Sequence, residues 1–259
     1  MAKKLLITLG GRIGALEEKK TKGGESFFSG RMVTSKSYKD AQGNWQSKEN
    51  WFNFTAFDKA SVAYLKKAAV GDKIILTADL EDKQHEGVTY YNLNVLSIIS
   101  ITPKEQAKHL SDVNNVFVIG KKCSDYELKN SFVNGSIGVT KRIKSGDDFT
   151  NDTQWVRISA AGKVAEKLVS EKKGDVLHLE GELTASEYTN KDGKAVKTVS
   201  VFVTSVKGHV TYEVSEGASE GTGQTGQQTT NSVADADADF MNVQSGSIDE
   251  IPFEFGKTA

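Results

Sequence analysis

The sequence predicts an all-β protein: two tandem five-stranded barrels, each with one short helix, followed by a disordered acidic tail. Three observations carry that expectation. Runs rich in β-branched and aromatic residues recur between glycine-rich or polar turns. One pattern occurs twice along the chain. From Ser215 onward the composition changes to Gly, Ser, Thr and Gln, which buries too little apolar surface to offset the entropy of ordering it.

The first copy reads in order. An apolar run at 5–9 is expected to stop at Gly10-Gly11, and further strands are expected at 27–38, 50–57, 73–80 and 88–101. A helix at 59–69 is predicted from Val62, Leu65 and Ala69 at helical spacing. Five strands with a helix between the third and fourth is the order of an OB-fold barrel. The second copy repeats it. Trp51 to Lys59 aligns with Trp155 to Lys163 at a constant offset of 104, and Gly71-Asp72 aligns with Gly174-Asp175. Upstream, Leu9-Gly10 resembles Ile119-Gly120, and Val33-Thr34-Ser35-Lys36 resembles Val139-Thr140-Lys141-Arg142. The expected domains are 1–106 and 111–214, with a tail at 215–259. Pro103 and Pro252, the two prolines of the chain, fall near expected boundaries.

Net charge is −1, but it is unevenly placed. The tail holds eight acidic side chains against one lysine, which leaves the body mildly basic, a balance common among nucleic-acid-binding proteins. A groove for a single strand needs flat side chains for bases and cations for phosphates. The first copy offers Lys36, Tyr38, Lys39, Trp45, Trp51, Phe57 and Lys59; the second offers Lys141, Arg142, Phe149, Trp155, Lys163 and Tyr188. Strand aromatics are more often core than surface, so alternation is used to separate the two. It places Trp51, Asn53, Thr55 and Phe57 on one face and Phe52, Phe54 and Ala56 on the other; Trp155, Arg157, Ser159 and Ala161 alternate against Val156, Ile158 and Ala160. The first copy is richer in bases and aromatics: Tyr38 and Phe57 correspond to Ile143 and Ala161. The first barrel is therefore expected to contribute more to affinity.

Other chemistry finds little support. One cysteine, Cys123, excludes an intramolecular disulfide and a cysteine-based zinc site, and the four histidines show no metal-ligand spacing. No metal, cofactor or catalytic constellation is expected. No run approaches the length of a membrane span, so no membrane is expected, and together with the cysteine count this points to the cytoplasm.

These residues resemble the bacterial single-stranded DNA-binding protein family. Thr34 to Asp40 is similar to its second-strand segment, and Asn50-Trp51 through Lys59 to its tryptophan-bearing third strand, with Asp58 where the family has glycine. Gly162-Lys163-Val164-Ala165-Glu166 keeps the family form, and 183–193 resembles a hairpin carrying a base-stacking aromatic at Tyr188. Asp249, Glu250, Ile251, Pro252 and Phe253 match its acidic tip, although Glu254 to Ala259 follow where the family ends. The resemblance implies sequence-nonspecific binding and protection of single-stranded DNA in replication, recombination and repair. It also implies recruitment of protein partners through the tip and a homodimer. An OB-fold recombination mediator or annealing protein, or a scaffold that binds no nucleic acid, stays open.

Overall fold

A computed structural model describes residues 4–40, 42–85, 88–145, 148–189 and 195–209. The chain divides into two units, Met1–Tyr212 and Glu213–Ala259, and all described residues lie in the first.

The first barrel comprises β1 (Leu5–Lys20), β2 (Ser26–Lys39), β3 (Trp45–Ala56), α1 (Lys59–Leu65), β4 (Lys73–His85) and β5 (Val88–Thr102). Antiparallel pairings link β1 to β2, β2 to β3, β4 to β5 and β1 to β4. A short parallel pairing, Phe54 with Leu93 and Thr55 with Asn94, joins β3 to β5 and closes the ring. No edge between these strands is left open.

The expected stop at Gly10-Gly11 is not observed. β1 continues to Lys20, and its first half pairs with β4 while its second half pairs with β2. The glycines are where neighbouring strands come closest. A Cβ on Gly11 would lie 2.1 Å from the Val33 carbonyl oxygen, and one on Gly30 would lie 2.4 Å from Phe54. A register shift between Ile13 and Ala15, around Gly14, adds the bend that lets one strand serve two neighbours. The helix also ends earlier than expected, at Leu65, and β3 begins earlier, at Trp45.

The second barrel repeats the order with β6 (Val113–Lys122), β7 (Leu128–Lys129), β8 (Phe132–Ser145), β9 (Asp148–Ala161), α2 (Gly162–Ser170), β10 (Val176–Thr189) and β11 (Ala195–His209). It closes through Ile158 with Val201 and Ser159 with Phe202. Here the first strand stops at Lys122 and meets β8 at two positions only; β7, absent from the sequence-based expectation, resumes the pairing after a loop.

The two helices start by different means, α2 one aligned residue earlier than α1. Asp58 caps α1 by accepting from the Ser61 N–H at 2.9 Å. Its counterpart Gly162 adopts φ +58°, a conformation that favours glycine.

The barrels share a seam. β1 and β6 pair antiparallel from Leu5 with Val118 to Gly10 with Val113, so the two barrels form one eleven-stranded sheet. Under the alignment of Leu9 with Ile119, the pair Leu5–Val118 exchanges with Thr8–Asn115, so an approximate two-fold axis relates the barrels. Cross-barrel contacts obey it, with strand register making Lys36 equivalent to Lys141, one residue from the alignment with Arg142 read in the sequence. Lys36 Nζ meets Glu182 at 2.6 Å and Lys141 Nζ meets Asp79 at 2.8 Å. Asn50 Oδ1 accepts from the Ala185 N–H at 3.2 Å, while Gln154 Nε2 donates to the Leu80 carbonyl at 2.7 Å. The linker is held down as well: Asp112 takes buried Lys73 Nζ at 2.6 Å and the Ser35 N–H at 2.6 Å.

Candidate nucleic-acid interface

Alternation along β3 and β9 sorts their side chains. Phe52, Phe54 and Ala56 are 3%, 0% and 0% exposed, whereas Trp51 is 39% and Phe57 57% exposed. Val156, Ile158 and Ala160 are likewise buried, with Trp155 38% exposed. Thr55 is the exception on the outer face. It is buried and donates to Asn92 Oδ1 at 3.2 Å, beside the strand pairing that closes the barrel.

On the first barrel, β2 and β3 form a long hairpin with Val33 opposite Trp51 and Arg31 opposite Asn53. Trp51 sits over Gly14, where a Cβ would lie 2.5 Å from the indole, and the Arg31 guanidinium lies 4.7 Å from the ring centroid. Nearer the tip, Lys39 Nζ is 5.2 Å from the ring of Trp45, which is 70% exposed; Tyr38, paired with Gln46 and so on the other face of the hairpin, is also exposed. Asp40 shapes the turn by accepting from Gln46 Nε2 and from the N–H groups of Gln42 and Asn44. Those bonds, that from Gln46 first, hold its carboxyl below the usual value. At the other end of β3, Phe57 stacks on Phe27 at 5.0 Å, and Lys59 opens α1, exposed.

On the second barrel, Trp155 pairs with Gly138, and Cys123 Sγ touches the same spot, 3.3 Å from where a glycine Cβ would stand. Lys163 is exposed in the first turn of α2. Arg142 falls on β8, Phe149 on β9 and Tyr188 on β10, but their side chains lie outside the described residues, as do all atoms of Asp249, Glu250, Ile251, Pro252 and Phe253.

Two of the expected phosphate-binding lysines, Lys36 and Lys141, are instead engaged in the cross-barrel ion pairs. The partners are 146 and 62 residues away in the chain, so local sequence carried no sign of them. Conversely, Arg31 beside Trp51 and the exposed Tyr90 of β5 are not among the expected residues. Register alone brings Arg31 to Trp51. Among the described residues no cluster of His, Cys, Asp or Glu could hold a metal ion, and no helix is long and apolar enough to cross a membrane.

Comparison with known proteins bears on the same region. Residues 113–208 match the family described as the single-strand binding protein family. The second barrel is thus similar to the single-strand binding protein family. Similar curated proteins are the single-stranded DNA-binding proteins of Treponema pallidum, 30% identical over 105 residues, and Mycoplasma genitalium, 33% identical over 91 residues. These alignments take in 38% and 34% of this chain, and the chain spans only 58% and 56% of the length of those relatives. The solved single-stranded DNA-binding protein of Thermus aquaticus shares the fold across both barrels: TM-score 0.61 at 16% identity, covering 87% of this chain and 98% of that one. The same barrel fold thus occurs twice here, and the match to the family model lies in the second copy.

Proposed function

We propose that the protein binds single-stranded DNA without sequence preference, stacking bases on outer-face aromatics and holding phosphates with adjacent cations. The observation that carries this reading is the sorting of the third strands. Each barrel buries its small and apolar partners and leaves a tryptophan open on the outer face, Trp51 at 39% and Trp155 at 38%. A scaffold that binds no nucleic acid would have these rings in its core. Single-stranded DNA-binding proteins among the relatives support the same reading.

Titration with oligo(dT) while following tryptophan fluorescence tests it. Trp45, Trp51 and Trp155 are all exposed, so binding should quench emission, and the affinity should fall as salt rises. Absence of both quenching and complex at low salt would overturn the proposal. A protective binder should also slow annealing of complementary strands; acceleration would favour the mediator alternative.

Two parts of the proposal extend beyond DNA. The tip from Asp249 to Phe253 recruits replication, recombination and repair proteins, its acids meeting basic side chains and Pro252-Phe253 filling an apolar pocket. Deleting 248–259 should abolish that recruitment and spare DNA binding. The assembly is a homodimer, and support comes from the outer side of the central sheet, where Leu6, Ile75, Phe117 and Ile119 are half-buried apolar residues. Sedimentation should give twice the chain mass of 28.1 kDa, and a monomer would refute this part.

A further inference from the structure

Beside the tryptophans, the outer faces of the two barrels differ by an exchange of residues between strands. Register sets Val33 opposite Trp51 and Gly138 opposite Trp155, so these two cross-strand pairs are equivalent. The neighbouring pair on the same face is Arg31 with Asn53 in the first barrel and Ser136 with Arg157 in the second. Each barrel therefore places one arginine beside its tryptophan. In the first barrel the arginine comes from the second strand, and in the second barrel from the third.

A guanidinium held in place by fold requirements alone would stay on its own strand and keep a partner there. Here the residue changes strand while the charge keeps its place, because directly opposed residues project from the same face about 5 Å apart. Both arginines are exposed, and among the described residues neither is paired with a carboxylate. The lysines expected to hold phosphate differ on this point, since Lys36 and Lys141 are engaged with Glu182 and Asp79. Arg31 shows the working geometry. Its guanidinium lies 4.7 Å from the Trp51 ring, so a base stacked on that indole would bring its own phosphate within reach of the fork.

Resting on the reading of the protein as a single-stranded DNA binder, we propose that Arg31 and Arg157 are equivalent strand-contacting residues. Each holds the phosphate of the nucleotide whose base stacks on the adjacent tryptophan. The position on the face matters and the strand supplying it does not.

The test is to move the charge. Binding of oligo(dT) is measured over a range of salt for the full chain, for Arg31→Ser, for Arg157→Ser and for the transposed double variant Arg31→Ser/Asn53→Arg. Each single variant should bind on the order of tenfold more weakly, with a salt slope shallower by about 0.7 for the lost phosphate contact. The transposed variant should regain both the affinity and the slope, because its arginine occupies the position that Arg157 uses in the other barrel. Unchanged affinity and slope in Arg31→Ser and Arg157→Ser would overturn the proposal. So would a transposed variant that unfolds at the wild-type temperature yet stays as weak as Arg31→Ser. Arg157→Ser needs no rearrangement and decides the matter independently if the double variant folds poorly. Failure of the unmodified chain to bind oligo(dT) would instead overturn the DNA-binding reading itself, and this inference with it.

Discussion

Ile13 and Lys122 occupy the same place in the two barrels. Each exchanges backbone hydrogen bonds with the aligned Gly-Asp pair: the Ile13 N–H with Asp72 and its carbonyl with Gly71, the Lys122 N–H with Asp175 and its carbonyl with Gly174. Ile13 fills the core. Lys122, fully buried, sends Nζ to the carbonyls of Leu168 (3.0 Å), Val169 (3.3 Å) and Glu171, at the C-terminal end of α2, and lies 4.6 Å from the Tyr126 ring. The last carbonyls of a helix lack partners within it, and the negative end of the helix dipole favours a cation there. Burial in turn pushes the Tyr126 hydroxyl well above its usual range, and that hydroxyl donates to the Ser136 carbonyl at 2.8 Å. At the proposed binding face, individual residues separate the two barrels further. Trp51 has Arg31, Tyr38, Lys39 and Trp45 on the same hairpin, whereas Ile143 and Ala161 stand where the first barrel has Tyr38 and Phe57. Trp51→Ala should weaken oligo(dT) binding by about 1–3 kcal/mol, the worth of one stacked base. Trp155→Ala should cost less, and equal losses in parallel titrations would remove the asymmetry.

Elements depend on a few residues that set where they begin and turn. Asp58 caps α1, so Asp58→Ala should lower stability by about 1 kcal/mol in urea unfolding, through the lost bond to the Ser61 N–H. The tip of the β2–β3 hairpin depends on Asp40, whose carboxyl is held below its ordinary value of 3.8 by bonds that need the ionised form. Its contribution is complete above that ordinary value and is lost as pH falls through the lowered one. The emission of Trp45, five residues after Asp40 and paired with Lys39, should shift in that acid window, and Asp40→Asn should abolish the shift. The hairpin was legible in part: bases and aromatics marked it, but its length was not, because 45–49 carries the polar text of a loop and is held as strand by pairing with β2. β1 was misjudged for a related reason. A glycine pair usually ends a strand, yet here it is required for the approach of Val33, a residue more than twenty positions away.

The whole molecule is governed by the seam between β1 and β6. Six backbone register pairs, the two cross-barrel ion pairs and the amide contacts of Asn50 and Gln154 hold the barrels together without the linker. A protease site placed between Gln106 and Lys108, short of the anchored Leu110 and Asp112, should therefore nick the chain without parting it. The two fragments should co-elute on gel filtration under native conditions and separate in denaturant; separation under native conditions would show that the linker holds the barrels together. A consequence for binding follows from the same seam. The two outer faces keep one fixed relation, so a strand that occupies both meets a preorganised surface, with no ordering cost for docking one barrel on the other.

The sequence by itself determined the duplication, the barrel order, the sorting of inner from outer side chains and the acidic end. All of these depend on local period, turn chemistry and composition, which neighbours in the chain decide. Only the tertiary structure decided which cations are free of carboxylate partners at the proposed binding face. Lys36 and Lys141 are committed by partners in the other barrel, while Arg31 and Arg157 are brought beside tryptophans by strand register. Register and cross-barrel pairing are contacts between residues far apart in the chain, set by closure of the barrels and the approximate two-fold at the seam, and no local pattern encodes them.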